Sequence, residues 1–122
     1  MSGRRYAEGT YVPATQTRQE IERVVQRYGA SKFASGWADD TAVVEFVVND
    51  RRIRFRVPLD CHEREQRRRW RSLLLAIKSR LDVVASGIET FDEAFLAHIV
   101  GPDDMTIYQH AMGSARLLGP VQ

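Results

Sequence analysis

Arginine dominates the reactive chemistry of this chain. Residues 51–80, RRIRFRVPLDCHEREQRRRWRSLLLAIKSR, hold eleven Lys/Arg and three acids, a net +8 in a chain whose formal net charge is +2. Guanidinium groups make charge-assisted, often bidentate contacts to phosphate or carboxylate, so the chemistry on offer is polyanion binding. Residues 81–122 carry the opposite balance, one Lys/Arg against six acids. Support for catalysis or metal binding is thinner. His62, His98 and His110 are far apart, and Cys61 adjoins His62 instead of standing at ligand spacing. Hydrolysis needs a nucleophile, a base and an orienting group, and no motif gathers them. Neither the G-x-x-x-x-G-K-[ST] nor the G-x-G-x-x-G phosphate loop occurs. Asp39-Asp40 and Asp103-Asp104 read as turn acids. The expectation is a non-enzymatic protein with no cofactor and no metal.

The elements that carry these arginines follow from periodicity. Residues 1–14 have none and read as a flexible N-terminal arm. Thr17-Arg18-Gln19-Glu20 fits a capping box that opens a first helix, with Ile21, Val24, Val25 and Tyr28 on one face and Gly29 at its end. Three strands follow, over 31–38, 41–48 and 51–57, the last stopped by Pro58. Asp39-Asp40 turns the chain once. Asn49-Asp50 suits a two-residue hairpin loop, because both residues tolerate positive φ. That loop sets Val48 opposite Arg51, Phe46 opposite Ile53, Val44 opposite Phe55 and Ala42 opposite Val57, on the core face with Phe33 and Trp37. Arg52, Arg54 and Arg56 then share the outer face with Val43, Glu45 and Val47. A one-residue slip would bury three arginines, at high cost.

A second, longer helix is expected to be capped by Asp60 and to show a stripe of Trp70, Leu73, Leu74, Ile77, Leu81 and Val84, ending at Gly87. Its first half carries Arg64, Arg67, Arg68, Arg69 and Arg71, where the helix dipole disfavours cations. Thr90-Phe91-Asp92-Glu93 is a further capping box, with Phe91, Phe95, Leu96 and Ile99 as the buried face of a third helix. Ile107, Tyr108 and Met112 fit a short helix, and Leu117-Leu118 a docking segment. The fold class is therefore α+β, a three-stranded antiparallel sheet in the order α-β-β-β-α-α, with the long helix on one sheet face. It forms a single domain over 15–122.

Lys32, Arg52, Arg54 and Arg56 on the sheet and Arg64, Arg67, Arg68 and Arg71 on the helix are the candidate nucleic-acid-binding residues, through phosphate contacts with little sequence readout. The aromatics of the sheet point inward in this register, which argues against a stacking platform on its outer face. A protein-interaction module is the alternative, such as an inhibitor of a host defence or nucleic-acid enzyme, using Asp92, Glu93, Asp103, Asp104 and the exposed Val43 and Val47. Self-association through the sheet edge, giving a homodimer, is a third reading. The chain has no apolar run long enough to span a membrane. MSGRRYAEGTYVP lacks the apolar core of a secretory signal, and the single Cys61 agrees with a reducing cytosol.

The order helix, three antiparallel strands, helix is similar to that of the double-stranded-RNA-binding domain, which also sets basic residues at the start of its last helix, where Arg67-Arg68-Arg69 stand here. That family's Gly-Pro and His loop motif and its Lys-rich helix signature are absent, so the likeness is one of topology. RRIRFRVPL, RRRWRSLLLAIKSRLDVVASGIETFDEAFLAHIV and the acidic turn Gly101-Pro102-Asp103-Asp104 resemble a family of small bacteriophage and prophage proteins, from about Thr17 to Leu118. That resemblance implies a phage protein acting in the cytoplasm of a bacterial host, near replication or recombination genes. It assigns no catalytic residue.

Overall fold

The β-branched run Thr41–Val48 alternates without a fault, burying Ala42, Val44, Phe46 and Val48 and leaving the residues between them half-exposed. It becomes the central strand. The computed structural model describes residues 2–113, with side chains described from residue 15 onward. Its elements are α1 (Ser2–Tyr28), β1 (Lys32–Ala38), β2 (Thr41–Val48), β3 (Arg51–Pro58), α2 (Glu63–Ala85), α3 (Phe91–Phe95), a 3-10 turn (Leu96–His98) and α4 (Ile107–Gly113). The fold is α+β, with one antiparallel sheet in the order β1-β2-β3.

The β2–β3 register is the expected one: Val48↔Arg51, Phe46↔Ile53, Glu45↔Arg54, Val44↔Phe55 and Ala42↔Val57. Asn49 and Asp50 take φ of 53° and 63°, the left-handed pair that a two-residue hairpin loop needs to match strand twist. On the inner face α1 and α2 lie side by side. Glu20 meets Lys78 at 3.4 Å, and Tyr28 flanks Leu81 and Ala85, so the two helices run parallel. Ile21 and Val25 of α1 and Trp70, Leu73, Leu74, Ile77 and Leu81 of α2 join the sheet residues in one core. Phe95 meets Phe46 and Phe55 edge-on at 6.1 and 6.3 Å and stacks on Phe91 at 4.6 Å.

Four local expectations are corrected. α1 begins at Ser2, so the backbone of most of the expected arm is helical and Thr17 lies within the helix. Inside a continuing helix the N–H groups near Thr17 already bond to the preceding turn, which leaves the capping box nothing to cap. At α2 the N-cap is His62, not Asp60, and no side chain caps it. Gln66 instead ties the approach, its amide donating to the carbonyls of Leu59 and Cys61 at 2.9 and 3.0 Å. Trp37 is on the core face, yet it is 56% exposed, because it stands near the end of the edge strand, past the strongly buried centre of the sheet. Leu96 is 50% exposed. The helix tightens to a 3-10 turn there, and the chain then extends so that Ile99 bridges Ile53 and the Val100 N–H donates to the Arg52 carbonyl at 2.8 Å. The free edge of β3 is thereby covered at Arg52 and Ile53.

Other end signals act as expected. Thr90 and Glu93 form a reciprocal capping box on α3. Thr106 and Gln109 form the equivalent pair before α4, each side chain accepting from the other's backbone N–H. Gly87, at φ 78°, ends α2 in the left-handed region that glycine adopts without strain. The docking role expected of Leu117-Leu118 lies outside the described residues.

Phe46→Ala should cost about 3–5 kcal/mol in urea unfolding, since the ring is 1% exposed and its site cannot collapse. Leu96→Ala should stay within about 0.5 kcal/mol, as for an exposed position. A large loss at Leu96 would restore the buried helical face and overturn the 3-10 turn.

Candidate nucleic-acid interface

The outer sheet face is not an open ladder of arginines. Arg54, at its centre, keeps only 7% of its side-chain surface. Its Nε donates to Glu45 across the strand pair, its Nη2 to Asp104 Oδ1 at 2.6 Å, and its Nη1 to the Asp104 carbonyl at 3.0 Å. Arg52 donates to the same two carboxylates, at 3.0 Å to Glu45 and 2.8 Å to Asp104. The acidic turn 101–105, with Asp104 at φ 66°, thus folds over the sheet and, with Glu45, whose position opposite Arg54 already suits a cross-strand pair, neutralises the arginines expected to contact phosphate. Burial alone would raise the Glu45 carboxyl, but hydrogen bonds from Arg52 and Arg54 outweigh it and hold the group below its ordinary value. Asp104 is held low by hydrogen bonds from Arg54 and then Arg52. Arg51 forms a separate bidentate pair with Asp92, at 3.0 and 2.8 Å.

The arginines of α2 divide in the same way. Arg68 and Arg69 share Glu65, and their hydrogen bonds pull its carboxyl down to about 2. Arg69 also donates to the Pro58 carbonyl at 2.8 Å, stapling the end of β3 to α2. Arg67 lies 3.5 Å from Glu63. Arg64 and Arg71 are exposed and seven residues apart, so they share a helix face. Among the described residues no carboxylate lies within ion-pair distance of Arg64, Arg71 or the exposed Arg56.

Topology decides which of these can act together. β3 ends at Pro58 and α2 starts at Glu63, so Arg56 and the first turns of α2 occupy one end of the domain. Arg56 and Arg64 lie toward that end, Arg56 on the outer face of the sheet and Arg64 on a helix of the inner face, with Arg67, Arg68 and Arg71 further along α2. Asp39 and Asp40 sit at the same end, where the Leu59 N–H donates to the Asp40 carbonyl. Lys32, paired with Val47 on the row of Arg52, is exposed at the opposite end and is not brought together with them. Sequence reasoning misses the role of Asp104. Its one signal is the charge segregation between 51–80 and 81–122, which is what two segments that pair with each other would show.

Among the described residues no group of three or more His, Cys, Asp or Glu is arranged to hold a metal ion, and no helix is long and apolar enough to cross a membrane. His110 pairs with Asp103 at 2.7 Å. His98 stacks on Phe55, 4.1 Å between centroids, where burial and then the Arg80 charge lower its pKa. Comparisons with protein-family models, curated proteins and solved structures find no match to this chain.

Stability should be full above the ordinary Glu and Asp values of 4.5 and 3.8 and fall as pH drops below them. Glu45 and Asp104 have depressed pKa values in the fold, so unfolding takes up protons in that range. Arg54→Leu should flatten this acid limb and lower stability at neutral pH by about 2 kcal/mol, because two carboxylates lose the more buried of the two arginines they share. An unchanged acid limb in pH-dependent denaturation would rule out the Arg54 node as its source.

Proposed function

We propose that the protein binds nucleic acid without catalysing a reaction, through the arginine-bearing end of the domain and chiefly by phosphate contacts. The observation that carries this reading is that Arg56 on β3 and Arg64 and Arg71 on α2, the element that follows it, are exposed and without an ion-pair partner among the described residues. Arg67 and Arg68 add to the field there, Arg67 partly neutralised by Glu63 and Arg68 by the Glu65 it shares with Arg69. Cations that already hold carboxylates are poor phosphate ligands, so Arg52 and Arg54 leave the interface, and Lys32 is a peripheral contact at most. The resemblance to phage proteins extends the reading to an accessory protein in the cytoplasm of a bacterial host.

A second reading has its own observation. Leu96, Tyr108 and Met112 are 50, 57 and 49% exposed on adjoining elements, a composition suited to a protein partner such as a host enzyme that a phage inhibitor would engage. Salt separates the two, because phosphate binding weakens steeply with ionic strength while an apolar interface does not.

In fluorescence anisotropy, log affinity should fall linearly with log salt. Replacing Arg56, Arg64 and Arg71 together by Ser should reduce that slope by roughly 0.9 for each phosphate that is no longer neutralised. Arg52→Ser should leave it unchanged. A triple variant that binds like the parent would eliminate this interface.

A further inference from the structure

A cleft of about 270 Å³ opens where α1, β1, β2 and α2 meet, lined by Thr15, Arg18, Ser35, Gly36, Trp37, Ala42 and Trp70. Its floor is apolar and buried: Trp70 and Ala42 are 2 and 1% exposed. Trp37, 56% exposed, forms a wall. Arg18 crosses from α1 and donates to the Ser35 hydroxyl at 2.9 Å. A guanidinium has five N–H donors, so this one bond leaves Arg18 with donors to spare. Among the described residues it has no ion-pair partner either.

We infer that this cleft holds one unstacked base of a single-stranded nucleic acid, stacked against the indole of Trp37 and hydrogen-bonded by Arg18. The inference rests on the nucleic-acid reading above and adds to it a strand preference. Three features select the occupant. The volume lies just below the roughly 300–1,000 Å³ usual for drug-sized ligands, so it suits one ring system, not an extended ligand. An apolar molecule would have no use for Arg18, and a bare anion none for the exposed Trp37 indole. A planar base carrying ring carbonyls and an attached phosphate uses both. Charge continuity points the same way. Trp70 belongs to the stretch of α2 that carries Arg64 and Arg71, so a strand with a base in the cleft has its backbone beside exposed cations. A duplex keeps its bases stacked inside and can offer only phosphates.

Both tryptophans of the chain line this cleft, so intrinsic fluorescence reads it directly. Oligothymidylate and oligouridylate should quench the emission and bind more tightly than a blunt DNA duplex of equal length, while the duplex binds with little quenching. Whichever of the two single strands binds better identifies DNA or RNA as the source of the base. Trp37→Ala should weaken single-strand binding roughly tenfold and leave duplex binding unaltered. Trp37→Phe should retain most of the affinity, and Arg18→Gln should lower single-strand affinity alone. Equal quenching by duplex and single strand, or a Trp37→Ala loss shared equally by both, would overturn the base site and leave the phosphate interface standing. Absence of binding by every polymer at low salt would remove both.

Discussion

A guanidinium placed at the centre of a sheet has to be either solvated or paired, and Arg54 is paired. The hairpin register puts it on the outer face opposite Glu45, but one carboxylate on a neighbouring strand cannot also screen it from water. Asp104 completes the shell with a carboxylate oxygen and a backbone carbonyl. For that to happen the chain after α3 must return to β3, which it does by bridging Ile99 to Ile53 and by the Val100–Arg52 hydrogen bond. Burying Arg54 therefore fixes the path of residues 99–106, and that path covers an edge strand that would otherwise present unpaired backbone groups to other chains.

The same constraint redistributes the charge of the molecule. A +8 segment and an acidic C-terminal part look in sequence like two separate functional surfaces. In the fold part of each is taken up by the other: Arg51 by Asp92, and Arg52 and Arg54 by Asp104. The arginines left over are those that the acidic part does not reach, at the far end of β3 and along the first turns of α2. The basic face is consequently smaller than its composition implies, and it lies at the end of the domain instead of across the sheet.

Features governed by local rules were legible in the chain. The alternation of Thr41–Val48, the positive φ tolerance of Asn49-Asp50 and the Thr90–Glu93 box each depend on a few adjacent residues, and each has its expected role. The features that escape such rules share a different origin. Whether Thr17 starts a helix depends on what the preceding residues do. Whether Leu96 is buried depends on a 3-10 turn imposed by the return of the chain to β3. The alternation of its strand assigns Arg54 to solvent, but alternation gives the face of a side chain and not what covers that face. Asp104 is fifty residues away in sequence, and no periodicity links it to Arg54. Arg18 and Trp37 are likewise separate marks on a helix and a strand until the packing of α1 beside β1 brings them to one cleft.

On the proposed function, the small number of arginines at this end that lack an ion-pair partner among the described residues also limits how the protein would bind. Electrostatic binding grows with the number of phosphates neutralised, and non-specific affinities at physiological salt are typically about 10⁻⁴–10⁻⁶ M even for proteins with many such contacts. Three exposed guanidiniums, with Asp39 and Asp40 close by, belong at the weak end of that range. Useful occupancy then requires a contribution that salt does not screen, or several copies acting on one polymer. Stacking on an indole is a contribution of the first kind, since it depends on π-surface and desolvation and not on counterion release. Shape supports the same division of labour. The sheet has helices on one face and the Asp104 turn on the other, so on the proposed function the end with the exposed arginines and the tryptophan cleft are where a polyanion would find both charge and an apolar surface.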